Sequence, residues 1–182
     1  RRRVLELMPA PQRSKVVTLL GFHPGSAGGL MNVDIVSCGT RATAGEALAL
    51  IGVAQAVQPE ALLQMHVLNE CRQLVGVVSV IALLQTHPAN MVAKLMDSDP
   101  ILVSPDANLT DIAVLMADYN LHTIPVVDDA DRILGVITVD DVLKATVPDD
   151  WRRRDSAPRL VREPTTAADA PASIGSEEGD WS

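Results

Sequence analysis

The sequence predicts an α+β fold made of two copies of one strand–helix–strand–strand–helix unit, preceded by a short N-terminal helical segment. Two observations carry that expectation. The first is an internal repeat, which fixes the architecture before any single element is assigned. Thr43-Ala-Gly-Glu-Ala-Leu-Ala-Leu-Ile returns as Asn108-Leu-Thr-Asp-Ile-Ala-Val-Leu-Met at an offset of 65. Met65-His-Val-Leu-Asn-Glu returns as Ile124-Pro-Val-Val-Asp-Asp, and Leu74-Val-Gly-Val-Val-Ser as Ile133-Leu-Gly-Val-Ile-Thr, both at an offset of 59. The change of offset is a six-residue insertion in the first copy, near Val57–Leu62. The second observation is the period of the apolar residues. Leu74–Val80 and Ile133–Val139 are β-branched runs with few polar residues, as buried strands require. The stretches 43–56 and 108–119 place apolar residues at i, i+3 and i+4, as Ile112, Leu115 and Met116 show, and read as helices.

In chain order, residues 1–30 read as a helical tail and a junction. A helix opens near Pro11 and closes at Gly21, and Phe22–Gly29 is a loop by its Gly and Pro content. Residues 31–90 form repeat one and 91–147 repeat two; Met31-Asn-Val-Asp-Ile-Val-Ser echoes Met96-Asp-Ser-Asp-Pro-Ile-Leu-Val-Ser at their starts. Cys71-Arg-Gln and Ala130-Asp-Arg separate paired strands at hairpin distance. Further helices are expected at 81–87 and 139–147. A single repeat is too small to close a core, and two packed through their sheets are not. From Pro148 to Ser182 the chain is rich in Pro, Ala, Ser, Thr and Asp without apolar periodicity, so this segment is expected to be disordered.

Composition excludes several function classes. The 182 residues are 47% apolar and carry a net charge of −8, with charge divided as +4 over 1–30, −9 over 31–147 and −3 over 148–182. An acidic chain does not suit duplex nucleic acid, and Phe22, Tyr119, Trp151 and Trp181 are too few and scattered to stack single strands. The longest apolar run, Leu74–Leu84, is too short to span a bilayer. Arg1-Arg2-Arg3, with no initiator Met and no long apolar run behind it, is not a signal peptide, and the chain reads as a piece of a longer one. Cys38 and Cys71 have no disulfide or zinc spacing and read as reduced thiols. His23, His66, His87 and His122 lack the i, i+4 spacing of a helical metal site. No nucleophile elbow is present, so no enzyme is expected.

One local motif carries ligand chemistry. In Gly135-Val-Ile-Thr138-Val-Asp-Asp141 the threonine stands where a strand turns into a helix, so its hydroxyl and the free N–H groups suit a phosphate. Asp141, one turn on, offers two acceptor oxygens for a pair of ribose hydroxyls. The same spacing suits a helix cap, with Thr138 as N-cap and Asp141 as the acid at N3, and both readings stand. The counterpart in repeat one, Gly76-Val-Val-Ser79-Val-Ile-Ala82, has lost the carboxylate. The acids Asp128, Asp129, Asp131, Asp140, Asp141, Asp149 and Asp150 are hard oxygen donors, of which Asp140 and Asp141 are the candidate Mg²⁺ ligands.

Leu121-His-Thr-Ile-Pro-Val-Val-Asp-Asp and Ile133-Leu-Gly-Val-Ile-Thr-Val-Asp-Asp-Val-Leu resemble the marks of a tandem pair of CBS domains, a Bateman module, over residues 31–147. His23-Pro-Gly-Ser-Ala-Gly-Gly-Leu-Met31 and the insertion in repeat one are similar to the cytosolic region of MgtE-type magnesium transporters, at its junction with a helical N-terminal domain. The resemblance implies a cytoplasmic, non-enzymatic regulatory module that senses an adenine nucleotide (ATP, ADP or AMP) or Mg²⁺. It implies nucleotide contacts at Gly135, Thr138 and Asp141, a homodimer through the CBS helices, and a helical domain packed in cis. Where the family tends to carry Arg-Asp in repeat one, this chain has Ile81 and Ala82. Where it tends to carry acids for sensing Mg²⁺, this chain has Asn108, Thr110, Asn120 and Lys144. The alternatives are the gating part of a transporter, which would continue into charged and apolar helices where this chain has Pro148 and a polar tail, or a scaffold that only dimerises.

Overall fold

A computed structural model describes residues 21–148 except Ala56. The expected helix over 11–21 falls almost entirely outside the described residues, and of the expected disorder over 148–182 all but Pro148 falls outside them. The order of elements follows the repeat. After a one-turn helix α1 (Ala27–Leu30) come β1 (Ser37–Gly39), α2 (Ala44–Val53), a 3₁₀ turn (Glu60–Leu63), β2 (Gln64–Leu68), β3 (Leu74–Ser79) and α3 (Val80–Gln85). A second 3₁₀ turn (Val92–Lys94) leads to α4 (Leu109–Asp118), β4 (Thr123–Val127), β5 (Ile133–Thr138) and α5 (Val139–Thr146). The first insertion-bearing copy thus places its extra residues in and before the Glu60–Leu63 turn.

Helix starts follow from capping side chains. Thr43 accepts from the Glu46 amide while the Glu46 carboxylate accepts from the Thr43 amide, a reciprocal box that satisfies two orphan donors. Asn108 accepts from the Asp111 amide in the equivalent place of repeat two. The hairpins are equally symmetric. Asn69 Oδ1 accepts from the amides of Cys71 and Gln73, and Asp128 Oδ1 accepts from those of Ala130 and Arg132. Arg72 and Asp131 then take positive φ values of 63° and 58°.

β1, β2 and β3 form one sheet, with β1 parallel to β2 and β2 antiparallel to β3; β4 and β5 pair antiparallel in the other. Repeat two was expected to open with a strand too, but its opening is one bridge, Val103 to Val126. The cause is Pro125. In repeat one the His66 amide donates to the Val36 carbonyl at 3.2 Å. Pro125 holds the equivalent position and has no N–H to give, so the ladder stops.

A second departure from expectation lies at the junction, where α1 forms within residues read as loop. Its first amides are satisfied from outside the helix: Ala27 donates to Ala107 O and Gly28 to Pro105 O, both at 2.8 Å. Ala27 and Met31 are buried against repeat two.

The segments that lead into the two repeats are therefore exchanged. Asn32, at the start of repeat one, pairs with Val136 on β5, while Asp97, near the start of repeat two, pairs with Val77 on β3. Two cores result. Val36, Cys38, Met65, Val67, Val78, Leu83 and Val92 pack in one, with Met96 against them. Ala27, Met31, Val103, Ile112, Ile124, Val126, Ile137 and Val142 pack in the other. Between the sheets lie Leu74, Val77 and Val127, and two symmetry-equivalent contacts join the halves. Gln73 bridges Arg132, and the Thr123 hydroxyl donates to Gln64 Oε1 at 2.7 Å.

His66 sits fully buried on β2. Its Nδ1 lies 3.0 Å from the Val36 carbonyl, to which it donates in the neutral tautomer, and its Nε2 has no partner. Burial pushes its pKa below the ordinary 6.5, outweighing the opposite pull of the Val36 carbonyl. Below that ordinary value the unfolded chain binds more protons than the folded one, so stability falls as pH drops. The contribution is complete above about pH 6.5 and is lost as pH passes down through the depressed folded value. Chemical denaturation between pH 7.5 and about pH 5 should show this decline in wild type, and His66→Met should flatten it.

Candidate functional site

β5 delivers Thr138 to the start of α5, and the helix turn that follows brings Asp141 back over it. The cap is complete: Asp141 Oδ2 accepts from the Thr138 hydroxyl at 2.7 Å and from the Thr138 amide at 3.1 Å, and the Asp141 amide donates to Thr138 Oγ1 at 3.2 Å. Thr138 is fully buried. Its hydroxyl is thus spent on the cap, while Asp141 remains partly exposed. A Cβ at Gly135 would lie 2.6 Å from the Asn32 carbonyl oxygen and 3.0 Å from Met31, so glycine is what lets the lead-in segment lie on β5.

Asp141 borders a cleft of about 300 Å³ walled by Leu30–Asp34 and by Gln58. The Asn32 side chain accepts from the Asp34 amide at 2.9 Å, which sets the curve of that wall. Gln58 comes from the region of the insertion in repeat one, and its Oε1 is buried without a hydrogen-bond partner. Sequence reasoning placed Thr138 and Asp141 together but missed Asn32, Asp34 and Gln58. The signal available was the echo of Met31-Asn-Val-Asp in Met96-Asp-Ser-Asp, which marks the lead-ins as part of the repeat.

The equivalent place in repeat one differs. Ser79 is exposed and accepts from the Ala82 amide at 3.1 Å, with no carboxylate to answer it. The neighbouring cleft of about 260 Å³ is lined by Asp97, Asp99, Tyr119, Leu121 and the Gln64–Thr123 pair.

The candidate Mg²⁺ ligands are occupied by the protein itself. Asp140 pairs with Lys144 one turn on, and that hydrogen bond holds the Lys144 pKa above its usual value. Asp141 serves the cap, and successive residues of a helix diverge rather than converge. Asp128 holds its hairpin; the Arg132 amide and guanidinium keep its carboxyl below the usual range. Among the described residues no three His, Cys, Asp or Glu side chains are grouped to hold a metal ion. No helix among the described residues is long and apolar enough to cross a membrane.

Paired strands, exchanged lead-ins and a capped helix beside a cleft in each half define the class. Residues 92–148 match the CBS domain family, and the two-repeat fold is that of a CBS pair. More particularly, the chain is homologous to the cytosolic region of MgtE magnesium transporters. It is 34% identical over 141 residues to the magnesium transporter MgtE of Thermus thermophilus, covering 78% of this chain and 31% of that protein. The crystal structure of the cytosolic domain of the Mg²⁺ channel MgtE in complex with ATP matches with a TM-score of 0.76 and 32% identity, covering 79% of this chain and 58% of that one. The soluble part of a magnesium transporter matches at 0.74 with 25% identity, covering 81% and 56%. The chain spans about a third of the length of the curated relatives it matches.

Proposed function

We propose that this chain is a non-enzymatic, cytoplasmic regulatory module whose α5 cleft takes an adenine nucleotide. The observation that carries the reading is the Asp141 carboxylate, held one turn into a helix at the border of a cleft to which both repeats contribute. The relative solved with ATP supports the ligand class. Repeat one lacks the carboxylate, so Ser79 and Ala82 are the weaker partner for ribose hydroxyls. A divalent cation is the less favoured signal, because it would have to displace Lys144 from Asp140. Thr138 acts as the cap that positions Asp141, and Gly135 as the seat of the lead-in. Thermal melting of the chain with ATP, ADP, AMP and adenosine tests this: at least one should raise Tm in wild type and fail to do so in Asp141→Asn. No shift with any of them removes the reading.

We also propose a homodimer through the helices. Leu50 and Val53 on α2, Ile81 and Leu84 on α3, Val114 on α4 and Leu143 on α5 are all exposed, between 41% and 74%. Such a run of apolar helix surface suits a second copy. Light scattering at micromolar concentration should give a dimer, and Ile81→Glu with Leu84→Glu should give a monomer of unchanged fold. A wild-type monomer throughout would remove the proposal. In the full-length protein such a module would gate a magnesium transporter or regulate a partner, as the homologous cytosolic regions suggest.

A further inference from the structure

His66 is a buried titratable group that neither cleft uses. On β2, Met65 and Val67 pack in the first core, so the alternation of a strand sends His66 to the opposite face. Its ladder partner there is Val77, one of the buried residues that lie between the two sheets. Two residues back on that face, Gln64 accepts the Thr123 hydroxyl across the seam. Farther along, the Leu74 amide donates to Asp131 O and Gln73 Nε2 to Ala130 O, both at 2.9 Å. The ring is fully buried in this seam, with Nδ1 at 3.0 Å from the Val36 carbonyl and Nε2 without a partner. Pro125 holds the equivalent place in repeat two, so the seam contains one ionisable ring rather than two.

Among the described residues nothing in the seam answers a positive charge. β3, β4 and β5 carry no titratable residue, β2 carries only His66, and Cys38 of β1 packs in the first core. Asp34 and Asp97 stand on the lead-ins, and Asp128 and Asp131 at the hairpin, where Arg132 engages Asp128. Burial and the Val36 carbonyl, rather than these acids, set the charge state of the ring. We propose that His66 is an acid-sensitive latch between the two repeats, in which a proton on Nε2 opens the seam while the second core stays folded. The charged ring has a donor at Nε2 and no acceptor, and water reaches it only when the sheets part. α3 and α5 follow β3 and β5 without a break, so the parting turns the exposed Ile81, Leu84 and Leu143 relative to one another. Acidity is read at the seam and delivered to the outer helices.

NMR of the whole chain between pH 7.5 and about pH 5 tests this in two readouts. The His66 ring should still be neutral at about pH 6.5, where an exposed histidine is half protonated. The Leu74 amide, corrected for intrinsic exchange, should lose protection about tenfold per pH unit below that point. It should open to exchange at a pH where Ile112 and Met116 on α4 remain protected, and His66→Met should keep it closed. The ring titration is read on wild type alone and does not depend on the fold of the variant. Leu74 and Ile112 becoming exposed at the same pH would show unfolding of the whole chain and overturn the latch. A ring that titrates near pH 6.5 with Leu74 protected throughout would overturn it too, since the seam then accommodates the charge. An unchanged response of Leu74 in His66→Met would assign the opening to other groups and overturn the role of His66.

Discussion

Gly135→Ala lowers the stability of the chain by about 3 kcal/mol, the upper part of the range for overpacking a close contact. The new methyl group would stand 2.6 Å from the Asn32 carbonyl oxygen, which accepts from the Val136 amide at 2.9 Å while the Asn32 amide donates to the Val136 carbonyl at 2.8 Å. A flexible side chain could turn away; a paired backbone oxygen cannot. The lead-in must lift from β5, which breaks the bridge and uncovers Met31. Gly76 occupies the same position in the other half, where a Cβ would lie 2.6 Å from the Asp97 carbonyl oxygen and 2.8 Å from the Met96 sulfur. Gly76→Ala should therefore cost a similar amount. The two sites lie in separate cores, so the double variant should lose close to the sum. Urea denaturation measures all three, and a loss below about 1 kcal/mol at either site would show that the lead-ins do not sit as described.

Met31→Ala has the other large expected effect. Met31 is 3% exposed and packs with Ile112, Ile124, Ile137 and Val142, all of repeat two, although it stands at the start of repeat one in the chain. Truncating such a side chain costs about 2–4 kcal/mol through lost burial and the cavity left behind. The location of the loss is the sharper reading. Amide exchange should accelerate first in β4, β5 and α4, with β2 and β3 less affected, because the hole opens in the second core. Met96→Ala should reverse the pattern. Loss of protection in the remainder of the repeat that each methionine opens in sequence would contradict the exchange of lead-ins.

These two results concern what was hardest to see in the sequence. The repeat was legible because Leu74-Val-Gly-Val-Val-Ser and Ile133-Leu-Gly-Val-Ile-Thr keep the same order of residue types, and a strand buried over most of its length on both faces needs nearly the same residues each time. The caps were legible because Thr138 and Asp141 are three apart, the spacing reciprocal capping requires. Which sheet Asn32 or Asp97 would join was not, since apolar period reports that a segment is buried and not against what. The weakened first strand of repeat two could have been foreseen from Pro125, which cannot donate to a ladder. Gln58 carried no local pattern at all; only the packed fold shows its oxygen buried and unpaired. The acids that looked like metal ligands, Asp128 and Asp140, are engaged by Arg132 and Lys144, four residues on in each case.

The central claim is that ligand chemistry resides in the α5 cleft, made by the exchanged lead-in, the region of the insertion and Asp141. Mapping amide shifts in a ¹H–¹⁵N spectrum during titration with adenosine and with AMP tests it most directly. The account predicts shifts gathered on residues 30–34, on Gln58 and on 138–142, with those changes lost in Asp141→Asn. Shifts gathered instead on Ser79–Ala82, Asp97–Ile101 and Tyr119, with residues 138–142 unmoved, would contradict it.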